Sequence, residues 1–216
     1  MRASATVSEI QELAPDVLQL TVSLGGEPFS FRPGQWLNLE FTENVSRAYA
    51  IASAPQRPGA IQIVVRMGSG KGAEEIRKLA EGSTVTLDGP YGQFVLPDDD
   101  DRPIVLIAGD VGIAPIRSLV LDLLARRAER SITVLYEPNQ RYVLYASDFD
   151  PLARAGHIVY EAGPIATLVG RNRLAFGDAI VMAAGFSSFL ERAKKALGDI
   201  DQDTGKLIVE SFGREP

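Results

Sequence analysis

The sequence predicts two domains: an antiparallel Greek-key β-barrel over residues 1–97, then an α/β domain built on a parallel sheet over residues 103–216. Three observations predict this. The first half reads as short strands of alternating apolar and polar residues, punctuated by Gly- and Pro-containing turns. The second half alternates continuous apolar runs with helix-period segments, the pattern of a sheet covered on both faces. Between them lies "LPDDDDRP", an acidic, proline-bracketed stretch that reads as a solvated, self-repelling linker.

Taken in order, "SATVSEIQEL" and "DVLQLTVSL" are alternating strands either side of "APD". "GEPFSFRPGQWLNLEF" carries Pro and Gly breakers before a further alternating run, and "YAIAS", "AIQIVVRM" and "STVTLDG" follow at regular spacing. One helix interrupts them: "GAEEIRKLAEG" sets Ile76, Leu79 and Ala80 on one side and is expected to end at Gly82. After the linker, "PIVLIAG" is a strand of the fully buried type. "GIAPIRSLVLDLLARRAER" places Ile116, Leu119, Val120, Leu123 and Leu124 at helical spacing. "SITVLYE", "HIVYEAG", "DAIVMAAG" and "KLIVESF" are further strands, and "SSFLERAKKALGD" is a second clear helix. Right-handed crossovers are expected between the parallel strands.

Composition narrows the function. With 216 residues, 45% of them hydrophobic and 23% charged, the chain has material for a sizeable core. No apolar run reaches about 18 residues, so no membrane span is expected. The opening "MRASATVSEI" has no apolar leader region, and a cytoplasmic location is expected. The absence of cysteine excludes disulfides, zinc–thiolate sites and iron–sulfur clusters on this chain. Any electrons crossing it must ride on an organic cofactor. A net charge of −6 argues against a general nucleic-acid surface. The single histidine, His157, sits at a strand edge and reads as structural, and no metal site is expected.

Four stretches carry possible chemistry. In "SRAYAIAS", strand alternation puts Arg47, Tyr49, Ile51 and Ser53 on one face and Ala48, Ala50 and Ala52 on the other. Arg47 and Tyr49 then lie roughly 6.6 Å apart, a cation and a flat ring able to grip an anionic, planar ligand. An ordinary strand with a tightly packed small face explains the same pattern. In "IVLIAGDVGIAPIRS", a buried strand runs through Gly109, Asp110, Val111 and Gly112 into a helix N-terminus, a seat for phosphate. Many such turns hold no ligand, and the Asp110 carboxylate opposes an anion. "TVLYE" sets Glu137 at a strand's carboxyl end, where it either accepts a ribose 2′-OH and repels a 2′-phosphate or simply opens a surface loop. "GSGKGAEEI" lacks the spacing of a Walker A loop. Its amides near Gly72 and Ala73 either hold a pyrophosphate or merely join strand to helix.

Together and in order, these pieces resemble the ferredoxin–NADP reductase-like flavoprotein superfamily, which includes flavin reductases and oxygenase reductase components. "FRPGQWLNLEF" is similar to its F-x-P-G-Q strand, "RAYAIAS" to R-x-Y-S/T-I-A-S, and "GPYGQF" to the turn closing the barrel. "AGDVGIAP" is similar to the G-G-x-G-I-A/T-P loop and "VESF" to the E-x-F ending. The resemblance implies an FAD-binding barrel followed by a nicotinamide-nucleotide domain. It implies that Arg47 pairs with the FAD pyrophosphate, joined by the amides at Gly72 and Ala73, while Tyr49 stacks on the flavin ring and Ala50 and Ile51 are cofactor-binding positions beside it. NADH or NADPH would dock near Gly109 to Gly112 with Glu137 at its ribose. Tyr49, Ala50 and Phe212 would be the groups nearest the reacting ring. Electrons would leave for a separate acceptor such as an iron–sulfur protein.

The chain also departs from that pattern. Ala50 stands where the family usually has Ser or Thr, Ala73 likewise, and Asp110 replaces a glycine. "AAGF", Ala183 to Phe186, stands where the family often has Cys-Gly-Pro. The arginine that often reads a 2′-phosphate is missing from "LYEPNQR", although Arg141 is nearby, so NADH is the expected donor. An alternative reading is a reductase-like, non-catalytic subunit that holds FAD without using nicotinamide.

Overall fold

The computed structural model describes residues 1–26, 29–42, 45–56, 59–139 and 142–215. They divide into two units: Met1–Val95 with Arg117–Arg126, and Leu96–Ile116 with Arg127–Glu215.

In the first unit, alternating apolar residues form β1 (Arg2–Ala14), β2 (Val17–Ser23), β3 (Trp36–Thr42), β4 (Val45–Ala50), β5 (Ala60–Arg66) and β6 (Thr84–Tyr91). All pair antiparallel in the order β4-β3-β6-β1-β2-β5. The sheet curls into a barrel-like form without a full ladder between its edge strands β4 and β5. Among the described residues an isolated bridge, Ile51 with Ile63, links the residue after β4 to β5. Leu20, Val22, Leu37, Leu39 and Leu87 point inward and are fully buried. The strand expected over Tyr49–Ser53 instead stops at Ala50. Beyond it the Ile51 amide donates to the Gln35 carbonyl at 3.1 Å and the Ala52 amide to the Gln62 carbonyl at 2.8 Å.

Helix α1 spans Lys71–Lys78 and does not continue to Gly82. Leu79 is extended (φ −69°, ψ 142°), which turns its side chain onto the barrel core. Partial burial of the Leu79 side chain against that core favours the extended residue over another turn of a short helix.

The second unit holds β7 (Ile104–Gly109), β8 (Ile132–Glu137), β9 (Val159–Ala162), β10 (Ile180–Gly185) and β11 (Ile208–Ser211). They run parallel in the order β11-β10-β7-β8-β9. Every residue of β7 and β10 is buried, as the continuous apolar runs require. Helices α2 (Ile113–Ala125), α3 (Ala146–Arg154), α4 (Ile165–Arg171) and α5 (Ser187–Gly198) connect them. Helices α3 and α4 were not expected: α3 contains Pro151, and α4 is two turns long with Gly170 inside it, so neither shows a clean 3.6-residue period. Helix α2 contains its whole apolar pattern, Ile116 to Leu124, and has ended before Arg127, which adopts φ 54°.

The acidic stretch is not simply self-repelling. Arg102 forks onto Asp100 with contacts of 2.7–3.1 Å, and these hydrogen bonds hold the Asp100 carboxyl down to about 2. Asp101 accepts from Arg130 at 3.4 Å.

Candidate functional site

On the barrel, the resemblance motifs meet in space. Gly34 has φ +94°, and a Cβ there would lie 1.8 Å from the Phe94 carbonyl oxygen, so only glycine lets "RPGQW" pass "GQF". The next residue, Gln35, donates to the Gly92 carbonyl at 3.3 Å and accepts from the Arg32 amide at 2.8 Å. Together with the Ile51 amide on its own carbonyl, Gln35 ties three separate stretches into one corner.

Arg47 and Gly72 are brought together. The aliphatic stem of Arg47 crosses Gly72 so closely that a Cβ there would sit 2.7 Å from its Cγ and 2.8 Å from its Nε. The exposed guanidinium donates to the Ser46 carbonyl at 2.7 Å. The first intrahelical bond of α1 runs from the Glu74 amide to the Gly70 carbonyl, 3.1 Å. The amides of Lys71, Gly72 and Ala73 precede it, which is where a helix offers donors to an anion. A permanent cation therefore lies across a helix N-terminus, with no side chain between them.

Tyr49, two residues on, is half-buried against the barrel core. Burial pushes its phenol up to about 12, with Arg47 pulling the other way, so the ring is neutral at any ordinary pH. Ala50 is buried beside it, opposite Trp36 in the β3–β4 ladder. Ile51 does not line an open face: it is wholly buried in the barrel core, so its side chain packs and only its backbone can face a ligand. Sharing a strand face with Arg47 and Tyr49 ceased to matter once the strand ended at Ala50.

In the second unit, the strand order reverses between β7 and β10, and the Gly109–Gly112 turn stands at that switch point. Its glycines have another reason for being there than a phosphate. A Cβ on Gly109 would lie 2.3 Å from the Phe189 ring, and one on Gly112 would lie 2.1 Å from the Ala184 carbonyl oxygen. Close packing of α5 and β10 requires both. Val111 is buried, and Asp110 adopts φ 51°, a left-handed conformation that Asp tolerates better than most residues. That tolerance accounts for an aspartate where the resemblance would lead one to expect glycine.

Glu137 ends β8 as expected, in register with Gly109. Its carboxylate serves the protein: one oxygen accepts from the Ile165 amide at 2.7 Å, the other from Arg192 Nη2 at 2.6 Å. Phe212 meets Phe186 edge-on, with centroids 6.0 Å apart at 89°, and its amide donates to the Gly185 carbonyl at 3.0 Å. Glu210, two residues earlier, pairs with Ala184 across β10–β11, and burial pushes its carboxyl up.

Sequence reasoning missed Arg117 and Ser118. They belong to the part of α2 that groups with the barrel. Arg117 Nη1 donates to the Ala52 carbonyl at 2.8 Å and Gln62 Oε1 at 3.0 Å, and Ser118 Oγ donates to the Ser53 carbonyl at 2.7 Å. A wholly buried serine inside an apolar helical stripe was the available signal. His157 is exposed before β9, and among the described residues no acidic or histidine cluster could hold a metal. Arg141 lies outside the described residues. A cleft of about 570 Å³ opens at the amino ends of β10 and β11. Its charged side chains are in ion pairs, Arg102 with Asp178, Lys206 with Asp203, and Asp201 with Arg173 outside the cleft.

A barrel-like antiparallel sheet carrying a cation over a helix N-terminus is thus followed in the chain by a parallel sheet with a glycine turn at its switch point. Residues 4–96 match the model of the oxidoreductase FAD-binding domain family. The chain is 33% identical over 237 aligned positions to the terephthalate 1,2-dioxygenase reductase component 1 of Comamonas sp., covering 100% of this chain and 69% of that one. It is 30% identical to ferredoxin–NADP reductase B of Sorangium cellulosum, covering 73% of this chain and 67% of that one. Against four further relatives it spans 37% to 57% of their length. In fold it matches the FAD/NAD-binding domain of the nitric oxide dioxygenase of Vibrio cholerae, with TM-score 0.85, 21% identity and 98% of both chains covered. The chain belongs to the ferredoxin–NADP reductase-like family of FAD-dependent NAD(P)H oxidoreductases.

Proposed function

We propose that this chain binds FAD on residues 1–97, takes a hydride from NADH in preference to NADPH on residues 103–216, and passes electrons to a separate iron–sulfur protein. A cytoplasmic setting, where reduced nicotinamide is made, is part of the proposal. The observation that carries it is the Arg47 side chain lying across Gly72 at the N-terminus of α1. A guanidinium and a row of helix amides make a pyrophosphate seat, and the missing Cβ leaves the cradle open.

When bound, the flavin supplies the redox chemistry, accepting electrons as a pair and releasing them singly. The residues supply place and field. Arg47 and the amides of Gly72 and Ala73 hold the two phosphates. Tyr49 lays a neutral, apolar ring against the tricycle. Ala50 offers no hydroxyl to it, which forgoes a hydrogen bond of roughly 0.5–1.5 kcal/mol. The Gly109–Gly112 turn and the α2 N-terminus receive the nicotinamide nucleotide. These 216 residues contain no cysteine and so cannot themselves ligate an iron–sulfur centre through thiolates.

Anaerobic addition of NADH to the FAD-loaded protein tests this. Bleaching of the yellow flavin is expected. A flavin that stays yellow would leave a scaffold that holds FAD without using nicotinamide.

A further inference from the structure

Glu137 stands where an acid can read the adenosine ribose, yet both its oxygens are engaged by the protein. One is committed to the first amide of α4. The other is held by Arg192 of α5, and the same guanidinium donates to the Ser188 carbonyl at 3.1 Å and lies 5.9 Å from the Phe189 ring centre. Phe189 is the ring that fills the space beside Gly109, and Gly109 is the register partner of Glu137. The phosphate turn, the acid and the arginine are therefore one connected constellation at the carboxyl edge of β7 and β8. Arg192 keeps about half of its side chain exposed, whereas the Glu137 side chain is 21% exposed.

We infer that Arg192 is the specificity-determining residue at the 2′ position of the nicotinamide nucleotide, and that Glu137 favours NADH chiefly by occupying it. This rests on the proposed nicotinamide use of the same site. A planar guanidinium is the natural partner of a phosphate, and here a carboxylate already holds it. A 2′-phosphate can gain Arg192 only by displacing Glu137, which would leave a partly buried carboxylate without its cation beside a dianion. A 2′-hydroxyl asks for no such exchange. Direct repulsion by Glu137 would also favour NADH, but the two mechanisms part when Arg192 is removed.

The test is calorimetric binding of ADP and 2′,5′-ADP to the FAD-loaded protein and its variants. Glu137→Gln keeps an acceptor for the Ile165 amide and frees Arg192. It is expected to raise the ratio of 2′,5′-ADP affinity to ADP affinity at least tenfold. In Glu137→Gln/Arg192→Met that gain should disappear. Arg192→Met alone should weaken 2′,5′-ADP severalfold and ADP little, which serves should Glu137→Gln fail to fold. A gain that persists in the double variant would assign selectivity to direct repulsion and overturn the inference, as would no gain in Glu137→Gln or no loss in Arg192→Met. Failure of the unaltered protein to bind either nucleotide would instead remove the nicotinamide site itself, and the inference with it.

Discussion

Glu210 shows how a single side chain couples burial to pH. Its folded carboxyl is pushed above the ordinary glutamate value by desolvation, so the native state prefers it protonated. For a raised acid, the favourable contribution is complete below the unfolded pKa and is lost as pH rises through the folded one. At neutral pH the ionised group therefore works against the fold. Glu210→Gln is expected to raise the melting temperature at pH 7, with the advantage shrinking toward about pH 4, where both forms are neutral. Melting curves across that range check it; a variant less stable at pH 7 would show that the charge is compensated. Tyr49 illustrates the complementary case, a phenol whose burial keeps it neutral and fit for stacking. At this scale the sequence singled out Arg47, Tyr49 and Glu137 as candidates by type and spacing. It could not show that Ile51 belongs to the core or that Glu137 is spoken for.

Between elements, the contact of β4 with α1 holds the barrel site together. Gly72→Ala would place a methyl group 2.7 Å from Arg47 Cγ, too near the stem of the side chain for a small swing of its tip to relieve. Alanine also improves helix propensity by up to about 1 kcal/mol, so the fold itself should lose little. The expected signature is FAD affinity roughly tenfold weaker with the apo melting temperature nearly unchanged, read by flavin titration. Equal affinity would mean that Arg47 does not carry the pyrophosphate. Elements with a clean period were legible: the alternating runs became β1, β2, β3, β5 and β6, and the apolar runs became β7 and β10. Helix α3, with Pro151, and α4, with Gly170, carry no such period and emerge only from packing. Helix α1 loses its last expected turn because Leu79 finds the barrel core.

For the whole molecule, FAD is expected to act as a folding ligand. At a hundredfold excess over its dissociation constant it should add about 2.7 kcal/mol, which for a chain of this size raises the melting temperature by roughly 5–10 °C. Thermal melts with and without FAD check this, and no shift would remove the barrel as its binding site. Composition and periodicity by themselves determined the two-part architecture, the need for an organic electron carrier and the order of the glycine turns. These depend on residue type and near-neighbour spacing, which the chain carries along its length. Only the tertiary structure decided that Phe189 fills the space at Gly109, that the Ala184 carbonyl bars a side chain at Gly112, and that Glu137 is claimed by Arg192. The last two residues are 55 apart in the chain, and no local pattern records which distant side chain will arrive first at a carboxylate.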